Sequence, residues 1–72
     1  MLEIKIDTEF IKLGQLLKLA AIADSGVHAK ILISEGFVEV DGEIETRRGK
    51  KIYPGSIVHV SDQETIKIIP NI

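Results

Sequence analysis

The chain has 72 residues, nine Lys and Arg against eleven Asp and Glu, a formal net charge of -2, 44% hydrophobic residues and no cysteine. That length fits one domain, which buries only ~60% of the surface its unfolded chain exposes, so a single small core has to hold it together. The missing cysteines exclude a disulfide framework and a thiolate metal site. MLEIKIDTEF lacks the basic flank and apolar run of a signal peptide, and no stretch approaches the ~20 apolar residues of a membrane span, so the expectation is a soluble cytoplasmic domain.

In chain order, LEIKI alternates apolar and charged residues and reads as a half-buried strand with Leu2, Ile4 and Ile6 on one side. KLGQLLKLAAIA then carries a helical stripe, with Leu13, Leu16, Leu17 and Ala20 at i, i+3, i+4 and i+7. Lys12, Gln15 and Lys18 fall on another flank and point to solvent. Gly14 costs a helix up to ~1 kcal/mol relative to alanine, and close packing explains it better than a functional role. DSG breaks the pattern, and Asp24 or Ser25 can cap a second helix, VHAKILISE, that stops at Gly36.

From Phe37 the period becomes two. FVEV is a strand, Asp41-Gly42 a tight turn and Glu43–Thr46 a short return strand. RRGKK and Pro54-Gly55 mark two more turns, with SIVHV and the final TIKII as further strands. TIKII reads as an exposed end strand that could pair with a second copy, blunted by Lys67. The order is strand, two helices, then several short antiparallel strands: a small α+β domain.

Catalytic chemistry is sparse. His28 and His59 sit in different elements without metal-ligand spacing, and each reads as a surface or hydrogen-bonded histidine. The run Glu39, Asp41, Glu43, Glu45 has the alternation of a solvated strand face, which explains it better than an acid/base or metal cluster. EGFVEVDG lacks the lysine and glycine spacing of a phosphate loop. No catalytic residue, metal or cofactor is expected, and the chain is read as a non-enzyme.

The unusual feature is RRGKK, which puts four cations into Arg47–Lys51 of an acidic chain. Because screening limits a charge's reach to ~8–10 Å, a local basic face can hold phosphates while acids elsewhere keep the total negative. Lysine and arginine neutralise phosphates, and arginine's planar fork can grip one with two hydrogen bonds. The free N–H groups at Ser25–Val27 add a modest anion site. The competing reading of RRGKK alone is a solvated turn. Of the three aromatic residues, Phe10 and Phe37 are assigned to the core, which leaves Tyr53 and too few rings for a base-stacking platform.

SGVHAKILISEGFVEVDGEIETRRGKKIYPGSIVHV resembles the S4 domain, the small RNA-binding module of ribosomal protein S4, some pseudouridine synthases and a bacterial tyrosyl-tRNA synthetase. The matching residues are Ser25, Ala29-Lys30, Ile31–Ile33, then Gly36, Val38, Val40, Asp41 and Gly42, then Pro54-Gly55 and Ile57-Val58. KLGQLLKLA is similar to the family's first helix, and the match covers about residues 10–60. The short chain looks most like the small stand-alone S4-like proteins of bacteria.

The resemblance implies an S4-like (αL-type) fold, two main helices packed on a small antiparallel sheet of short strands, as one domain over residues 1–72. It implies binding of structured RNA, ribosomal RNA or ribosomal particles in ribosome assembly or translation, through Lys12, Lys18, Ser25, His28, Lys30, Arg47, Arg48, Lys50 and Lys51. Lys30 matches the family's phosphate-facing basic position. Gly26 departs from the pattern, standing where many relatives carry an RNA-contacting arginine. Recognition by shape and backbone is expected, by a monomer, with a ribosomal or assembly-factor protein as a further partner and no membrane. The alternative is a protein-interaction module that kept the S4 fold and lost RNA affinity, favoured by the acidic total charge, Gly26 and the exposed acidic strand.

Overall fold

The computed structural model describes residues 1–71. The alternating LEIKI forms strand β1 (Leu2–Ile6), and a two-residue strand β2 (Ile11–Lys12) runs directly into helix α1 (Leu13–Leu19). Lys12 therefore has extended backbone (φ -75, ψ 143) and sits at the end of a strand, not on the flank of the helix as its spacing predicts.

α1 is shorter than the twelve-residue pattern because its C-terminus is closed by a Schellman arrangement. The Ala21 N–H donates to the Lys18 carbonyl and the Ile22 N–H to the Leu17 carbonyl, both at 3.0 Å. Ala21 occupies the left-handed position (φ 60) that glycine usually takes, so the sequence carries no stop signal there. Helix α2 (Gly26–Ser34) starts at Ser25, whose Oγ accepts the His28 N–H at 3.1 Å, and closes by the same device around Gly36 (φ 83).

Strands β3 (Val38–Val40) and β4 (Glu43–Ile44) form a hairpin over Asp41 and Gly42, whose positive φ values of 50 and 89 define a type I′ turn. Strand β5 (Lys51–Ile52) pairs back to β2, with Lys12 opposite Lys51 and Ile11 opposite Ile52. Strands β6 (Ile57–Val60) and β7 (Glu64–Pro70) complete a five-stranded sheet of order β1-β7-β6-β3-β4.

Two expectations change here. The larger sheet is mixed: β3, β4, β6 and β7 pair antiparallel, but β1 lies parallel to β7, Leu2 opposite Ile66. A parallel pair needs a long crossover, and here both helices and the remaining strands supply it. TIKII consequently lies inside the sheet, between β1 and β6, and is not an edge available to a second copy.

One face of this sheet and the inner sides of both helices make the core. Val58, Val60, Ile66 and Ile68 alternate inward and meet Leu13, Leu16 and Leu17 of α1 and Ala29 and Ile33 of α2. Phe37 does not join them. It follows Gly36 and faces the opposite side of the strand from the fully buried Val38, leaving it 47% exposed. Phe10 is half-buried. Among the described residues no helix is long and apolar enough to cross a membrane.

Candidate nucleic-acid interface

The site is built by what the start of α1 requires. The first N–H groups of a helix have no partner within it. In α1 the Leu13 N–H donates to the Lys50 carbonyl at 2.9 Å and the Gly14 N–H to the Arg48 carbonyl at 3.0 Å. These two bonds, with the β2–β5 pairing, fasten the RRGKK loop against the beginning of α1. The loop thereby faces the start of α2, and a cleft of about 230 Å³ opens between the three elements.

Lys12, Lys18 and Arg48 line this cleft together with Gly14, Gly26 and Gly49. Among the described residues the ion pairs are His28–Asp24 and Arg47–Glu45, so the three cleft cations have no carboxylate partner there. Gly26 and Val27, in the first turn of α2, have N–H groups without an intrahelical acceptor, and Gly26 lines the cleft. Gly14 belongs to the same surface. A Cβ at that position would stand 3.5 Å from Arg48 Cβ and 3.6 Å from the Arg48 carbonyl, ordinary contact distances, so packing does not require glycine. As glycine it adds no side-chain bulk to the cleft lining.

The remaining cations expected from the sequence divide by geometry. Arg47 is turned away, gripping Glu45 through Nε–Oε2 at 3.0 Å and Nη2–Oε1 at 3.1 Å. Those bonds, with one from the Arg47 backbone N–H, hold the Glu45 carboxyl down at about 2. Lys50 lines a separate groove with Asp41, Glu43 and Glu45, so the acidic hairpin is not remote from the basic loop but adjacent to half of it. Lys51 extends its Nζ over the Phe10 ring, 4.8 Å from the centroid.

On α2, Lys30 is exposed one turn beyond Gly26, at the cleft's rim by helical spacing. The Ser25 hydroxyl is occupied as the helix cap. His28 folds back on Asp24, its Nδ1 2.6 Å from Asp24 Oδ1, and that contact holds the Asp24 carboxyl below its ordinary value. Sequence spacing missed Gly14 and Gly49 as part of the site. The signal for them is positional, since Gly49 follows Arg48 directly and Gly14 stands two residues after Lys12.

Known proteins bear on this geometry. RlbA of Bacillus subtilis, named "Probable ribosome maturation protein RlbA", is 44% identical over 66 residues, covering 92% of this chain and 93% of its own. YbcJ of Escherichia coli K12 is 50% identical over 48 residues, covering 67% and 69%. The solution structure of E. coli YbcJ, described as revealing an αL motif involved in RNA-binding, matches with a TM-score of 0.65 at 35% identity over 94% of this chain and 84% of that one. The S4 domain family model matches residues 4–69, nearly the whole length, and the chain belongs to the S4 domain family.

Proposed function

We propose that this chain is a non-catalytic, cytoplasmic RNA-binding protein. Its ligand is structured RNA, specifically ribosomal RNA within ribosomal particles undergoing maturation, gripped by its phosphates in the α1–α2 cleft. The observation that carries this reading is the convergence of Lys12, Lys18 and Arg48, unpaired with any carboxylate among the described residues, in a molecule of net charge -2. Cations left without local partners are where an external polyanion gains most.

The relatives support the same direction, RlbA by a name that places it with ribosome maturation and YbcJ by its RNA-binding motif. Gly26 fits it too. Nothing lies within 4 Å of a Cβ built there, so a phosphate can approach the α2 backbone directly. The domain acts as a monomer over residues 1–72. Lys30 extends the cleft along α2, while Arg47, held by Glu45, Lys50 in the neighbouring groove and Lys51 over the Phe10 ring stand outside it and contribute less to the grip.

The test is equilibrium binding to folded ribosomal RNA fragments beside a single-stranded RNA of equal length. The folded fragments should bind more tightly, by about tenfold or more, and equal affinity for both would overturn the reading. A second reading, an S4 fold serving a protein partner, is favoured by Val27 (70% exposed) and Ile31 (51% exposed), neighbours at i and i+4 on the outer face of α2. Capture of a ribosomal protein by RNA-free material, lost in Ile31→Asp and retained in Arg48→Ala, would favour it.

A further inference from the structure

The outer face of the β2–β5 ribbon is unaccounted for by the phosphate cleft. Ile52 is fully buried and Ile11, opposite it, is half-buried, so this cross-strand pair points into the core. Strand alternation turns the flanking residues outward: Phe10 and Lys12 on one chain segment, Lys51 and Tyr53 on the other. Phe10 and Tyr53 meet there with ring centroids 5.8 Å apart and planes tilted by 50°. Tyr53 remains 44% exposed, and Lys51 Nζ lies over the Phe10 ring. Two aromatic rings at a surface, bordered by two lysines, make a patch of flat apolar area beside positive charge.

We infer that this patch is a stacking site for one unpaired RNA base, adjacent to the phosphate cleft and continuous with it through Lys12. This rests on the RNA-binding reading and names the feature of the RNA that it selects: a helix carrying a bulged or terminal unpaired nucleotide. Three observations favour a base over another occupant. Lys12 belongs both to the cleft lining and to this outward face, so one ligand can touch both. Two residues of strand span ~7 Å, comparable to one extended nucleotide, so a phosphate at Lys12 and a base on Tyr53 can be neighbours in one strand. Aromatic faces accept any base, and a nearby cation reinforces the contact without specifying sequence.

The chain has one tyrosine and no tryptophan, so its intrinsic fluorescence reports on Tyr53 alone. Two RNA hairpins are compared, one fully paired and one identical except for a single bulged adenosine. The bulged hairpin should bind about five- to tenfold more tightly and quench the tyrosine emission, while the paired hairpin leaves the emission largely unchanged. Tyr53→Ala should abolish that preference without changing affinity for the paired hairpin, and Tyr53→Phe should keep it. Arg48→Ala should weaken both RNAs alike. Equal affinity for the two hairpins in the unmodified protein, or a preference that survives Tyr53→Ala, would overturn the stacking site and leave the phosphate cleft standing. Failure to bind either hairpin would overturn the stacking site together with the RNA reading beneath it. The wild-type emission measurement needs no variant to fold.

Discussion

Replacing Gly14 with alanine should make the protein more stable and a poorer RNA binder. Glycine in a helix interior costs ~1 kcal/mol against alanine, and position 14 is the second residue of α1, where about half of that, ~0.5 kcal/mol, is appropriate. The new methyl would meet Arg48 Cβ at 3.5 Å and the Arg48 carbonyl at 3.6 Å, contact without compression. A fully buried methylene is worth ~0.8 kcal/mol, and half-burial at this partly covered site adds ~0.4 kcal/mol. The sum is ~1 kcal/mol of stabilisation, or ~4–8 °C in Tm for a domain of this size. The same methyl adds bulk to the cleft that Gly14 lines with Lys12, Lys18 and Arg48, and affinity for folded RNA should fall about fivefold, ~1 kcal/mol. Thermal melting by circular dichroism and an RNA titration read the two effects. A lower Tm would show that the loop packs on α1 more tightly than these distances allow. A higher Tm with unchanged affinity would show that RNA does not reach position 14.

Two further outcomes concern local structure. Ala21 holds a left-handed conformation at φ 60, a cost of ~1 kcal/mol that glycine avoids, so Ala21→Gly should stabilise by ~0.5 kcal/mol after the added flexibility of the unfolded chain is subtracted. Urea titration checks it, and a lower midpoint would contradict the C-terminal geometry of α1. Glu45 is held at about 2 by Arg47, below the ordinary ~4.3 for a glutamate. A depressed carboxylate contributes stability that is present above its unfolded value and lost as pH falls from ~4.3 toward about 2. Across that window the wild type should lose more Tm than Glu45→Gln, and superimposable curves would mean that the pair, exposed on the Arg47 side, contributes nothing.

Periodicity makes the elements legible, and turn chemistry makes most of their ends legible. Ser25, Gly36 and Asp41-Gly42 each do what their residue types predict, and the stripe Leu13, Leu16, Leu17 is fully buried. The end of α1 is not readable because alanine occupies the strained position. The parallel β1–β7 pair is not readable because nothing local to either strand encodes its neighbour. For the interface, charge density locates the loop but does not say which cations are free. Arg47 and Arg48 are adjacent and chemically identical. One closes on Glu45 two residues back, and the other is carried into the cleft by its carbonyl's bond to Gly14. Phe10 reads as core because apolar character is ambiguous in so short a strand, and only the burial of its neighbour's partner, Ile52, shows that it faces out.

The division of labour between Arg47 and Arg48 gives the most direct test of a cleft built around unpaired cations. Affinity for a folded ribosomal RNA fragment should be measured across a salt series for the wild type, Arg47→Ala and Arg48→Ala. Removing one phosphate neutralisation lowers the slope of log K against log[salt] by ~0.7–0.9. Arg48→Ala should weaken binding and flatten the slope by about that amount, while Arg47→Ala, already paired within the protein, should leave the slope nearly unchanged. Equal weakening in both variants, or a slope indifferent to Arg48, would contradict a phosphate site formed by Lys12, Lys18 and Arg48.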